Sequence, residues 1–168
     1  MKAEEKIASL LKGSGKTLSA AESCTGGRIS HLVTTVSGSS EYYLGSVTSY
    51  AISVKENVLG VPAGIIQTHG VVSAEVAAAM AEGVRRITGS TFSVATTGLA
   101  EGGNDRYPEG TVWIAACTPA ATHTLLYQFN KDRKSNIRRF AVVALRFLAQ
   151  NIEEYLINCK SNNKTNKS

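Results

Sequence analysis

No apolar run in this chain approaches the ~20 residues that a membrane-spanning helix needs, so a membrane-embedded role is not expected. The first six residues, Met1-Lys2-Ala3-Glu4-Glu5-Lys6, carry acids and lead into no apolar segment of the kind a secretion signal contains. Cysteine is sparse: Cys24, Cys117 and Cys159 are odd in number and widely spaced, which argues against a disulfide framework and for a reducing, cytoplasmic setting. Histidine is equally scarce. His31, His69 and His123 share no ligand spacing with one another or with the cysteines, so no metal site and no histidine base are expected. Aromatic residues make up only 7% of the chain. They do not interleave with the basic segment Lys131 to Arg139, as the stacking platform of a single-strand nucleic-acid binder would require.

The net charge of +5 points the same way once it is located. Residues 160–168 hold three lysines and no acid, leaving only +2 on the remainder. With no partner face for nucleic acid, the charge reads as a polar tail, expected to be disordered because it has nothing apolar to bury. What remains, residues 1–159, is long enough for one domain with a full core. The sequence leaves a homo-oligomer open.

The stretch around which the chain is organised is Ala20-Ala21-Glu22-Ser23-Cys24-Thr25-Gly26-Gly27. An alternating run over 17–21 leads in and an amphipathic run over 28–36 leads out, a strand–turn–helix pattern. The two glycines are expected to let the backbone approach a ligand, and the first helical amides to be available to an anion or oxyanion. Ser23, Cys24 and Thr25 place three nucleophile or donor candidates there. The plainer alternative is that Ser23 or Thr25 caps the helix. Adjacent side chains at a strand end point to opposite faces, so only one of Ser23 and Cys24 is expected to face a pocket.

Helices are expected over 3–12, 51–59, 73–88 and 135–157, and strands over 46–50, 91–96, 111–116 and 124–129. In the helix that Ser73 would cap, Val76, Met80, Val84 and Ile87 are expected inward. Residues 41–45 are ambiguous and 65–69 read as a turn-like link. Helices alternating with strands, plus one hairpin, predict an α/β layered fold with a mixed sheet. A ligand in such a fold sits beyond the strand ends, where the turns after Ser23 and after Thr97-Gly98 would meet. Lacking a histidine base, a serine nucleophile needs another activator. Lys55 falls one turn into the helix after the strand ending at Tyr50, near the same sheet edge. It works as a base only if burial or a nearby positive charge holds it neutral, and the residues by themselves equally describe a solvated helix lysine.

Several motifs share one pattern: Ala21-Glu22-Ser23-Cys24-Thr25-Gly26-Gly27, Ser37-Gly38-Ser39-Ser40, Tyr50 with Lys55, Leu59-Gly60-Val61, and His69-Gly70-Val71-Val72-Ser73. Met80-Ala81-Glu82-Gly83, Thr97-Gly98-Leu99-Ala100 and Gly110-Thr111-Val112-Trp113 complete it. Together, from about Thr17 to about Leu148, the chain resembles the CinA C-terminal domain family, whose characterised members are nicotinamide mononucleotide (NMN) deamidases. The resemblance implies a three-layer α/β/α domain with a mixed, mostly parallel sheet of about five strands. It also implies hydrolysis of NMN to nicotinate mononucleotide and ammonia without metal or cofactor. It carries the nucleophile to Ser23, the base to Lys55 and an assisting role to Tyr50, which would relay a proton to the leaving ammonia or orient Lys55. The oxyanion and substrate are then expected at Thr25, Gly26 and Gly27, and the phosphate at Thr97 and Gly98 with Arg133 or Arg139. Two departures stand out. The family's Gly-Pro-Gly-Gly loop is replaced by Glu101 to Glu109, in which Glu101, Asp105 or Glu109 would repel a phosphate if it faced the pocket, Glu101 foremost as the acid nearest Thr97-Gly98; the alternative is that the loop turns outward and Arg106 holds the phosphate. The family's Gly-Asp-Arg is replaced by Lys131-Asp132-Arg133.

Overall fold

Strand β1 (Leu18–Glu22) is buried along its whole length and sets the layering of the computed structural model, which describes residues 1–165, with side chains to 162. Its side chains alternate between two cores, as the pleat requires. Leu18 and Ala20 join the core packed by α1 (Ala3–Leu11), α2 (Arg28–Thr34) and α6 (Arg133–Thr165). Ala21 joins the core on the opposite face, with residues of α5 (Ala74–Thr88), of the short helix α4 (Ala63–His69) and of the segment that follows the short helix α3 (Ile52–Asn57). The same split repeats in β3 (Phe92–Leu99), where Phe92 and Val94 face one way and Ala95 the other. Small residues facing each other on β1 and α5 (Ala21, Ala77, Ala81) let the helix lie close on the sheet. The result is the expected three-layer α/β/α arrangement.

The sheet order is β2-β1-β3-β4-β5, with β2 at Tyr43–Thr48, β4 at Thr111–Cys117 and β5 at Thr122–Gln128. Strand β1 runs parallel to both neighbours, β4 is antiparallel to β3, and β5 is antiparallel to β4. Four of the five strands therefore point the same way, and β4 alone runs against them. Glu22 lies level with Thr48 on one side and Thr96 on the other. The turn after β1 thus emerges between two parallel strand ends, the place where an open α/β sheet leaves a crevice.

Several elements differ from their sequence expectation. Residues 63–69 form a helix where a turn-like link was expected. Pro62 is its extended N-cap, Ile66 its buried anchor, and Gly70 ends it at φ +80°. Its last carbonyls, Thr68 O and His69 O, accept from the Arg106 guanidinium, a long-range cap no local pattern announces. Strand β2 begins at Tyr43, taking in residues 43–45 of the ambiguous segment, while Glu41 closes a 3-10 turn; the strand ends at Thr48, short of the expected Tyr50. Strand β3 continues through Thr97 and Gly98 to Leu99 because β4 pairs with all three. In α5, Ser73 Oγ accepts from Val76 N at 3.2 Å as expected, but Ile87 at the far end is exposed. Helix α6 starts two residues early and extends to Thr165, so 160–165 is helical where disorder was expected; 166–168 lie outside the described residues. The buried stripe of α6 ends by Ile152, and residues 157–162 are exposed. The extension adds residues to a helix already nucleated by packing, which costs far less than starting one.

Candidate active site

Glu22 fixes the turn after β1. It is fully buried, and its carboxylate accepts from Thr25 Oγ1 at 2.7 Å, Gly27 N at 3.1 Å, Ile29 N at 2.9 Å and Ser30 N at 2.8 Å. The last three are otherwise unpaired amides at the start of α2. The helix is therefore capped from the preceding strand, and neither Ser23 nor Thr25 does it. The turn closes with Gly26 N donating to Ser23 O at 3.1 Å, while Ser23 N donates to Thr96 O at 3.0 Å. Gly26 and Gly27 have φ of +56° and +97° with open space around each Cβ position, so they are needed for chain direction and not for close approach.

Held by this turn, Ser23 meets Lys55. Lys55 Nζ lies 2.9 Å from Ser23 Oγ and donates to Ser49 O at 2.6 Å and Tyr50 O at 3.2 Å. Residue Lys55 is fully buried, and none of the ion pairs among the described residues involves it. Burial without a counter-ion pushes its pKa below the ordinary 10.5. The two carbonyls require two N–H bonds, which a neutral amine supplies while keeping its lone pair for a third partner. That partner is Ser23. Cys24, packed into the core beside it, is pushed up to about 12 by burial, so its thiolate is suppressed and the thiol is a poor nucleophile.

The two residues open onto a cavity of about 270 Å³. Its wall includes Cys24, Tyr50, Ile52, Val71, Thr97, Gly98, Glu101 and Arg133. Tyr50 is 64% exposed, and its hydroxyl accepts from Arg133 Nη2 at 3.2 Å; its contact with Lys55 is through the backbone carbonyl. Arg133 Nη1 also lies 3.6 Å from Glu101 Oε2.

The structure thus brings together Ser23, Lys55, Tyr50, Thr97, Gly98 and Arg133. It does not bring in the other four expected residues. The Thr25 hydroxyl is spent on Glu22 and Thr96, and the Gly26 and Gly27 amides on Ser23 O and Glu22, so the expected oxyanion donors are already occupied. Arg139 lies on another face, its Nε donating to Tyr127 Oη at 3.1 Å and its guanidinium 5.6 Å from the centre of the Phe129 ring. Thr97 and Gly98 line the cavity without forming a turn. Thr97 Oγ1 donates to Val71 O at 2.8 Å, and a Cβ on Gly98 would come within 2.5 Å of Thr111 O, so that glycine serves β3–β4 packing. Arg106 holds the end of α4 and is not in the cavity wall. Sequence reasoning missed Glu22 as the cap and the Ser49 carbonyl as a lysine ligand. An acid closing an otherwise apolar strand was the available signal for the first.

Comparison with known proteins agrees with this architecture. The CinA C-terminal domain model matches residues 1–152. A CinA-like protein of Salinibacter ruber is 47% identical over 144 residues, covering 84% of this chain and 35% of the relative. One from Cytophaga hutchinsonii is 39% identical over 153 residues, covering 90% and 37%. The chain therefore spans little more than a third of the length of these curated relatives. Among solved structures, the competence damage-inducible protein A (ComA) of Klebsiella pneumoniae superposes with a TM-score of 0.86 at 29% identity, covering 91% of this chain and 98% of that one. The competence/damage inducible protein CihA of Agrobacterium tumefaciens gives 0.79 at 30% identity, covering 87% and 93%.

Proposed function

The chain belongs to the CinA C-terminal domain family, and on that premise we propose that it is an amidohydrolase that converts NMN to nicotinate mononucleotide and ammonia, a pyridine nucleotide salvage reaction. The observation that carries this reading is the 2.9 Å approach of Ser23 Oγ to a fully buried Lys55 amine with no counter-ion. Neutral Lys55 takes the proton of Ser23, whose Oγ attacks the carboxamide carbon. The developing oxyanion needs donors, each worth roughly 3 kcal/mol. With Gly26 and Gly27 occupied, the Cys24 amide is the donor that follows the nucleophile directly, as at other strand–turn–helix nucleophiles. Collapse of the tetrahedral species breaks the C–N bond, and the proton held by Lys55 goes to the leaving nitrogen, releasing ammonia. Lys55, neutral again, takes a proton from water as it attacks the ester carbon; the acyl C–O bond then breaks, Lys55 returns the proton to Ser23 Oγ, and the product acid leaves and ionises to the carboxylate.

Tyr50 acts in this scheme through its carbonyl, which directs the Lys55 amine, and through its phenol at the cavity mouth. The proton relay expected of the phenol is not needed, because Lys55 serves both nitrogen and oxygen. Ser23 and Lys55 supply nucleophile and base, so the reaction as written calls on neither metal nor cofactor. Acid-quenched mixtures with NMN should yield a Ser23-containing peptide carrying the pyridine acyl group by mass spectrometry. The same adduct on Cys24 would overturn the serine assignment. A second reading, a nucleotide-binding module with little or no turnover, is favoured by the engagement of Arg133 with Glu101. Ammonia release from NMN at high enzyme concentration separates the two.

A further inference from the structure

Two basic residues line the cavity, and they are held in different ways. Lys55 is buried and committed to two carbonyls and Ser23. Arg133, the first residue of α6, stands at the mouth with its side chain 45% exposed, and it is the cation there that can meet an anionic substituent of a ligand. It already meets one from the protein. Glu101, which follows β3 and Ala100, also lines the cavity, with Oε2 at 3.6 Å from Arg133 Nη1. The other arm of the guanidinium, Nη2, donates to Tyr50 Oη at 3.2 Å. The arginine is thereby fixed between a carboxylate and a phenol on the cavity wall.

We propose that Glu101 is a specificity-determining residue of this cavity, an internal counter-ion that occupies Arg133 and penalises ligands bearing a phosphate relative to the same ligands without one. The inference deepens the amidohydrolase reading and rests on it for the identity of the ligand. A phosphate arriving at Arg133 must share the guanidinium with Glu101 and sit beside its negative charge. The pair is exposed at 45% and 67%, so screening keeps the effect modest. Removing the charge of Glu101 should strengthen phosphate binding about three- to tenfold at low ionic strength, and less as salt rises. A ligand lacking the phosphate should not register the change.

The test uses two probes on the full chain, with melting curves to verify folding of every variant. Inorganic phosphate is titrated first, by calorimetry or phosphorus NMR, into wild type, Glu101→Gln, Arg133→Gln and the double variant. Glu101→Gln should bind phosphate more tightly than wild type, Arg133→Gln more weakly, and the double variant should match Arg133→Gln. Equal phosphate affinity in wild type and Glu101→Gln, or a gain that persists without Arg133, overturns the proposal. The second probe is the KM for NMN against that for nicotinamide riboside. Glu101→Gln should lower the first and leave the second unchanged; turnover with both values unmoved also overturns the proposal. Absence of ammonia from either compound, with the phosphate pattern intact, would sink the amidohydrolase reading while supporting the role of Glu101.

Discussion

Replacing Glu22 by alanine should unfold the domain at a markedly lower temperature, because one carboxylate caps a whole helix start. The side chain is fully buried and accepts four hydrogen bonds. Thr25 would keep its contact with Thr96 Oγ1 at 2.8 Å, so the hydroxyl is not orphaned. The amides of Gly27, Ile29 and Ser30 would be. Ile29 is fully buried and bears the full cost of an unsatisfied donor, about 1–3 kcal/mol, whereas the part-buried Gly27 and Ser30 amides recover some of theirs from water. Loss of an anion at the positive end of α2 adds about 0.3–2 kcal/mol. A total of about 3–4 kcal/mol corresponds to a melting point roughly 6–16 °C lower for a chain of this size. Glu22→Gln keeps one acceptor oxygen but turns an NH₂ toward amide donors, so its loss should be about half as large. Scanning calorimetry of the three proteins decides the matter. A Glu22→Ala melting point within about 2 °C of wild type, or glutamine as damaging as alanine, would refute the cap.

Burial of Lys55 makes stability pH-dependent with a definite sign. Its folded pKa lies below the ordinary 10.5, so between the two values the unfolded chain binds more protons; the contribution is full above 10.5 and is lost as pH falls through the lowered folded value. The stability of Lys55→Met relative to wild type should therefore improve as the solution is acidified across that window, and a constant difference would argue that Lys55 is not buried neutral. Turnover by the wild type should fall on the acidic side as the amine takes up its proton; Lys55→Met should lack most activity at every pH. Cys24→Ala should keep most turnover, and iodoacetamide should label the exposed Cys159 ahead of the buried Cys24 and Cys117; rapid labelling of Cys24 with loss of activity would reopen the thiol as nucleophile. Removing residues 160–168 should change stability by no more than about 0.5 kcal/mol, since 157–162 are exposed, and a larger drop would show that the end of α6 is docked.

The layering was legible in the sequence because period-two and helical apolar patterns survive wherever an element packs on a sheet, as in β1, α5 and α6. The Ser23 turn was legible for the same reason, with glycines marking the change of direction. What was not legible depends on contacts distant in sequence. Helix α4 has one buried anchor, Ile66, and its C-terminal carbonyls are capped by Arg106, so its local pattern was weak. Strand β3 runs past Thr97-Gly98 because β4 pairs there, although Thr-Gly looks locally like a strand end. The helix-start amides were expected to be vacant; Glu22, read only as part of a motif, fills them. Arg139 and Arg133 lie six residues apart on one helix, and only the fold reveals that the first faces β5 and the second the cavity.

The proposed reaction requires Ser23, activated by Lys55, to hydrolyse the carboxamide of NMN. Ammonia release from NMN by the full chain and by Ser23→Ala, at enzyme concentrations high enough to detect slow turnover, tests it most directly. The wild type should release ammonia and nicotinate mononucleotide in equal amounts, and a folded Ser23→Ala should release neither. Equal release by the two proteins would contradict the serine mechanism, and no release by the wild type would contradict the proposed reaction.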